Sequence, residues 1–147
     1  SRNYSIAADS AWTRRIEVQG FADPVFVDAS GAPLGTVSVQ ASQTSGFITV
    51  IVPVAALGTP GPGWRFTVVL HGQDGFSADQ ARGFAPTPQP FLFGVCAPGG
   101  TSPICAVDPG SVPKAMDVLT PDGVSQAVEL DPTAQTVEIT GVPVPSP

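Results

Sequence analysis

The sequence predicts an all-β protein: an antiparallel β-sandwich of the jelly-roll or immunoglobulin-like kind, rich in loops. Three observations predict it. Gly and Pro, 16 and 17 of the 147 residues, interrupt the chain so often that helices have little room to extend. Hydrophobic residues make up 42%, enough for a core, while charged residues make up only 12%, about half the usual share. Short β-branched runs recur at spacings of roughly ten residues, with turn signals between them, as in sandwiches and barrels. Polarity comes instead from Ser and Thr, 12 of each. A coiled coil, a helical repeat array and a charged disordered tail are excluded. At about 150 residues per domain, the length fits one domain or a large piece of one.

Taken in order, the first strand is expected where Trp12, Arg14, Ile16 and Val18 alternate with Thr13, Arg15, Glu17 and Gln19, a period of two with one largely apolar face. Val25–Val27 and Thr36–Gln40 are the next candidates. Phe47–Val52 is β-branched and apolar on both faces, which predicts a strand inside the core. Val54–Leu57 reads as one helical turn ended by Gly58, followed by the Gly/Pro loop Thr59–Gly63. In Trp64–Leu70, residues Trp64, Phe66, Val68 and Leu70 share the predicted inner face. Ser77 is expected to cap a short helical turn over Ser77–Arg82. From Ala85 to Pro113 the density of proline predicts extended chain and loop around one short strand, Phe91–Val95. Gln126–Leu130 and Thr136–Ile139 complete the strand set. Residues 1–140 are read as one module and 141–147 as a Pro-rich tail or linker.

The net charge of −6 and a pI near 4.3 argue against a nucleic-acid or anionic-membrane surface, since phosphate neutralisation needs clustered cations. Of the six basic residues only Arg14 and Arg15 are adjacent. The longest apolar run, Phe47–Leu57, contains Thr49 and Pro53 and falls well short of the roughly 20 residues of a spanning helix. No signal-peptide pattern opens the chain, so any export signal is expected to have been removed or to lie upstream. Cys96 and Cys105 flank a short Gly/Pro loop, where a disulfide would pin a segment with little else to order it. A half-metal site, without a nearby His or further Cys, and two free thiols are the alternatives. A bridge implies an oxidising, extracellular compartment.

The search for chemistry finds no catalytic constellation. His71, at a strand end, has no Gly-x-Ser-x-Gly elbow to serve and reads as a surface or loop residue. The twelve carboxylates lie mostly in turn contexts such as Asp74-Gly75 and Asp122-Gly123, so no pair stands out for glycosidase work. Ser1 raises an amino-terminal nucleophile, against which a chain also begins with Ser after any proteolytic cut. No metal motif occurs, although calcium stays open because oxygen ligands need no fixed spacing. The aromatics carry the remaining signal. Sugar-binding surfaces use exposed rings with neighbouring polar groups, and the candidates are Trp12 with Arg14, together with Tyr4 and Phe84 in polar contexts. Trp64, leading an apolar strand, is read as core.

Several segments then resemble a known family. Gly63-Trp64-Arg65-Phe66-Thr67-Val68-Val69-Leu70, followed by Gly72-Gln73-Asp74-Gly75-Phe76 and Arg82, is similar to the C-terminal module of glucodextranases and amylopullulanases. Ile48-Thr49-Val50 with Val52-Pro53 and Leu57-Gly58 resembles its preceding strand and short turn. Asp117 to Gly123 with Gln126 resembles its closing segment, and Trp12 to Gly20 its aromatic-led strand. The four occur in the family's order and span Tyr4 to Leu130.

The resemblance implies a β-sandwich of the surface-layer-like, DOMON-like kind that accompanies the catalytic domain of a secreted glycoside hydrolase and is not itself the catalyst. Its implied partners are a polysaccharide, an α-glucan first, and the remainder of the parent enzyme; its implied location is secreted or cell-surface. The family's acidic N-terminal stretch and several strands have no counterpart here. The sandwich is therefore expected to be completed by strands supplied from a separate chain. Losing that acidic stretch also removes any carry-over of calcium ligands. Tethering an enzyme to its substrate is the expected function. Structural attachment to a cell surface without a soluble sugar ligand, or a processed hydrolase subunit, are the alternatives.

Overall fold

A computed structural model describes residues 2–20, 22–71, 113, 115–131 and 134–144. The fold is all-β. Its described strands form two-stranded ladders in two compact units, Ala11–Gly61 and a second unit comprising Ser1–Ser10 with Pro62–Pro147.

In the unit Ala11–Gly61, strand β2 (Arg14–Gln19) pairs antiparallel with β3 (Ala22–Asp28), after β1 (Ser5–Ile6) of the other unit. Arg14 faces Asp28 and Ile16 faces Phe26, so the alternating apolar residues of β2 lie beside Phe26, which is 3% exposed. A register shift between Glu17 and Gln19 bulges the ribbon and leaves Val18 exposed. Asp28 closes β3: its Oδ1 accepts bonds from the Ser30 N–H at 2.8 Å, the Ser30 hydroxyl at 2.6 Å and the Ala32 N–H at 2.9 Å. Gly31, at φ 86°, takes the left-handed conformation this turn requires. Strands β4 (Ser38–Ser42) and β5 (Phe47–Ile51) form a regular hairpin. Helical turn α1 (Val54–Leu57) follows Pro53 and is closed by the Gly58 N–H on the Val54 carbonyl at 2.7 Å, as the sequence predicts.

The second unit carries the larger described core. Ala115, Val118, Leu130, Val137 and Ile139 cluster there, with Tyr4, Ile6 and Val69 packed against them. β1 pairs with β9 (Glu138–Ile139) in parallel, where the sequence predicts antiparallel pairing throughout; strands so far apart in the chain need no tight connection. β6 (Arg65–Phe66) pairs with β10 (Val142–Pro143), and β7 (Val69–His71) with β8 (Ala115–Val118). The chain from 141 onward, read as a tail or linker, thus begins with a paired strand.

Three expectations are corrected. Phe47–Ile51 is a strand but not a core strand: Phe47 is 71% and Ile48 66% exposed, and only Val50, opposite Val39, is half-buried. Trp64–Leu70 is two short strands, and Val69 rather than the Trp64/Phe66/Val68/Leu70 set meets the core. The reason is register: Val69 lies opposite buried Val118, and opposed residues share a face. Gln126–Leu130 is not a strand but the helical turn α2 (Gln126–Glu129), closed by the Leu130 N–H on the Gln126 carbonyl. A run this short has no periodicity to separate the two states.

Ser77–Arg82 and Phe91–Val95 lie outside the described residues. No helix among the described residues is long and apolar enough to cross a membrane.

Candidate functional site

Trp12 stands just before β2 and is 40% exposed. The Arg15 guanidinium lies over its ring, 5.4 Å from the centroid, at cation–π distance. Arg15 Nη1 also donates to Glu17 Oε1 at 2.7 Å, across a strand period that puts both side chains on one face of β2. Trp12, Arg15 and Glu17 therefore form a continuous series of ring, cation and carboxylate. The Arg15 side chain is 42% exposed and that of Glu17 20%.

Arg14, the cation that alternation pairs with Trp12, points elsewhere: its Nε donates to the Ala56 carbonyl at 3.0 Å and holds turn α1. The difference has a simple cause. Strand geometry begins at Arg14, so the period of two does not reach back to Trp12. The only sequence signal for Arg15 was its proximity to an exposed Trp.

Tyr4 belongs to the other unit. Its hydroxyl lies 2.8 Å from His71 Nε2, the ring centroids are 5.9 Å apart, and the Tyr4 ring packs against the core cluster. Which of the two donates follows the His71 tautomer. Trp64 is half-buried and makes a tilted ring pair with Phe66 at 6.1 Å. Phe84, Cys96, Cys105 and Ser1 lie outside the described residues.

The same unit contains a polar cluster that the sequence did not single out. Glu129 is 4% exposed; its Oε1 accepts the Thr140 N–H at 2.7 Å, while Oε2 is buried without a hydrogen-bond partner. Ser10 Oγ accepts the Gly141 N–H at 3.0 Å and donates to Asp9 Oδ1 at 2.9 Å. Arg65 donates to the Gly141 carbonyl at 3.3 Å and sits 3.6 Å from Asp9. These contacts fix the Thr140–Gly141 corner between β9 and β10. A Cβ on Gly141 would lie 3.0 Å from Ser10 and Arg65, so the corner accepts only glycine without rearrangement.

Among the described residues no group of three or more His, Cys, Asp or Glu side chains is placed to hold a metal. The Asp28 carboxyl is held below its usual 3.8, first by the Ser30 hydroxyl and then by the Ala32 N–H. It is a turn lock rather than a reactive group.

A family model described as the C-terminal binding module, SLH-like, of glucodextranase matches residues 1–142. No curated protein and no solved structure shows a match to the chain.

Proposed function

Since the chain belongs to the family of C-terminal, SLH-like binding modules of glucodextranase, we propose that it tethers a glycoside hydrolase to an α-glucan. An accessory binding domain contributes no chemistry of its own. Its effect is concentration: a weak site on the tethered module holds polymer near the catalytic domain, which raises the effective substrate concentration.

The observation that carries the carbohydrate reading is the exposed Trp12 ring beside Arg15 and Glu17. An aromatic surface packs against the C–H face of a pyranose, and the two charged groups supply a donor and an acceptor for its hydroxyls. Location at the cell surface or in the medium follows from the same role. Cell-surface attachment without a soluble sugar ligand is the second reading, favoured by the SLH-like character of the family.

Affinity electrophoresis of the folded chain in native gels containing starch, pullulan, dextran or arabinan separates the two. Retardation by one α-glucan, weakened about tenfold by Trp12→Ala, is the expected result; that is about 1.4 kcal/mol of contact energy. Absence of retardation by every polymer would transfer the assignment to surface attachment.

A further inference from the structure

The hairpin β4–β5 differs from every other described ladder in lacking protection at its edges. Sheet edges are normally blunted by charge, proline, bulges or shortness, because a bare row of N–H and C=O groups recruits another strand. The ribbon β2–β3 carries Arg14, Arg15, Glu17, Asp23 and Asp28, contains Pro24 and is bulged. The ribbon β7–β8 has a register shift between Leu70 and His71 and carries Asp117. The ladders β1–β9 and β6–β10 are only two residues long.

None of these devices occurs in β4–β5. Its five consecutive pairs, Ser38–Ile51 to Ser42–Phe47, run without a shift. No charged residue occurs anywhere from Ala29 to Trp64. Phe47, Ile48 and Ile51 are more than half exposed, and each strand has one unpaired edge among the described residues.

We infer that two copies of this chain associate through antiparallel pairing of β5 with β5, making a four-stranded sheet in the order β4–β5–β5–β4. The sequence of β5 is self-complementary about Thr49. A two-fold axis there sets Phe47 opposite Ile51, Ile48 opposite Val50, and Thr49 opposite its own copy. Each is an aromatic–β-branched, β-branched or Thr–Thr pair, the kinds that stabilise sheets, and no like charges meet despite the net charge of −6. β4, with Ser38, Gln40 and Ser42, is the more polar strand of the hairpin, so β5 is the edge that pairs. A lone two-stranded hairpin is marginal in water, whereas four strands with an apolar face are not. A symmetric interface closes without further copies. The inference is independent of sugar binding at Trp12.

Sedimentation velocity on the full chain over a concentration series tests it. The expected result is a monomer–dimer equilibrium, with Thr49→Lys raising the dissociation constant at least tenfold because two ammonium groups would then oppose each other at the axis. Gln40→Lys on β4 is expected to leave the equilibrium in place. Circular dichroism of both variants at dilution is expected to match the parent, which separates lost association from lost folding. A monomer at every concentration up to about 1 mM, open-ended assemblies, or a dimer indifferent to Thr49→Lys would each overturn the inference.

Discussion

Asp28 illustrates how far a single side chain can be read. Asp followed by Ser30 and Gly31 already signals a turn, and the structure adds that three donors converge on one carboxylate oxygen. These donors favour the charged form, so the folded-state pKa lies below the unfolded value near 3.8. A depressed carboxylate pKa contributes stability that is present above the unfolded pKa and lost as pH falls through the folded one. Carboxyl chemical shifts followed by NMR should place the Asp28 midpoint below 3.8, and Ser30→Ala should move it upward; an unmoved midpoint would refute the Ser30 contribution. Trp12 was legible as an exposed ring, but that Arg15 rather than Arg14 lies over it was not, because residue spacing cannot tell where strand geometry begins. Glu129 gave no signal at all, since burial of a carboxylate depends on which segments converge on it.

At the level of elements, existence was easier to read than environment. Strands β2, β3, β4, β5 and β9 and the turn at Val54–Leu57 all overlap their predicted ranges. The inner face of Trp64–Leu70 was assigned wrongly because both of its faces carry apolar residues, so alternation could not choose between them. The pairing of Val69 with Val118 made that choice. Truncation distinguishes the two assignments. Leu130→Ala, at a fully buried position, is expected to cost roughly 2–5 kcal/mol in urea denaturation. Leu70→Ala, on a residue 54% exposed, is expected to fall within about 0.5 kcal/mol of the parent. A large loss at Leu70 would restore the face that the sequence pattern suggested.

For the whole molecule, charge distribution matters more than charge number. The chain carries a net −6, yet the stretch from Ala29 to Trp64 carries none. Repulsion between copies therefore comes from elsewhere in the chain, while the exposed apolar strand does nothing to oppose contact. As pH falls towards the pI near 4.3 that repulsion vanishes. Light scattering at fixed protein concentration should rise to a maximum near pH 4.3 and should show a smaller rise for Thr49→Lys. A flat profile would mean that the uncharged segment is not adhesive. Membership of the binding-module family fits the same scale, since the family match spans residues 1–142 rather than a local motif.

By itself the sequence determined the all-β class, the acidic and sparsely charged character, the helical turn at Val54–Leu57 and the family resemblance carried by ordered segments. These depend on composition, local turn chemistry and residue order, all of which are present in the chain before it folds. Only the tertiary structure decided that Arg15 rather than Arg14 attends Trp12, that Val69 faces the core, that Gln126–Glu129 coils into a turn, and that β5 is exposed on both faces. Each of those depends on strand register or on which distant segment arrives to cover a face. A one-residue difference in register turns every side chain over, and nothing in a local pattern that is apolar on both sides can set it.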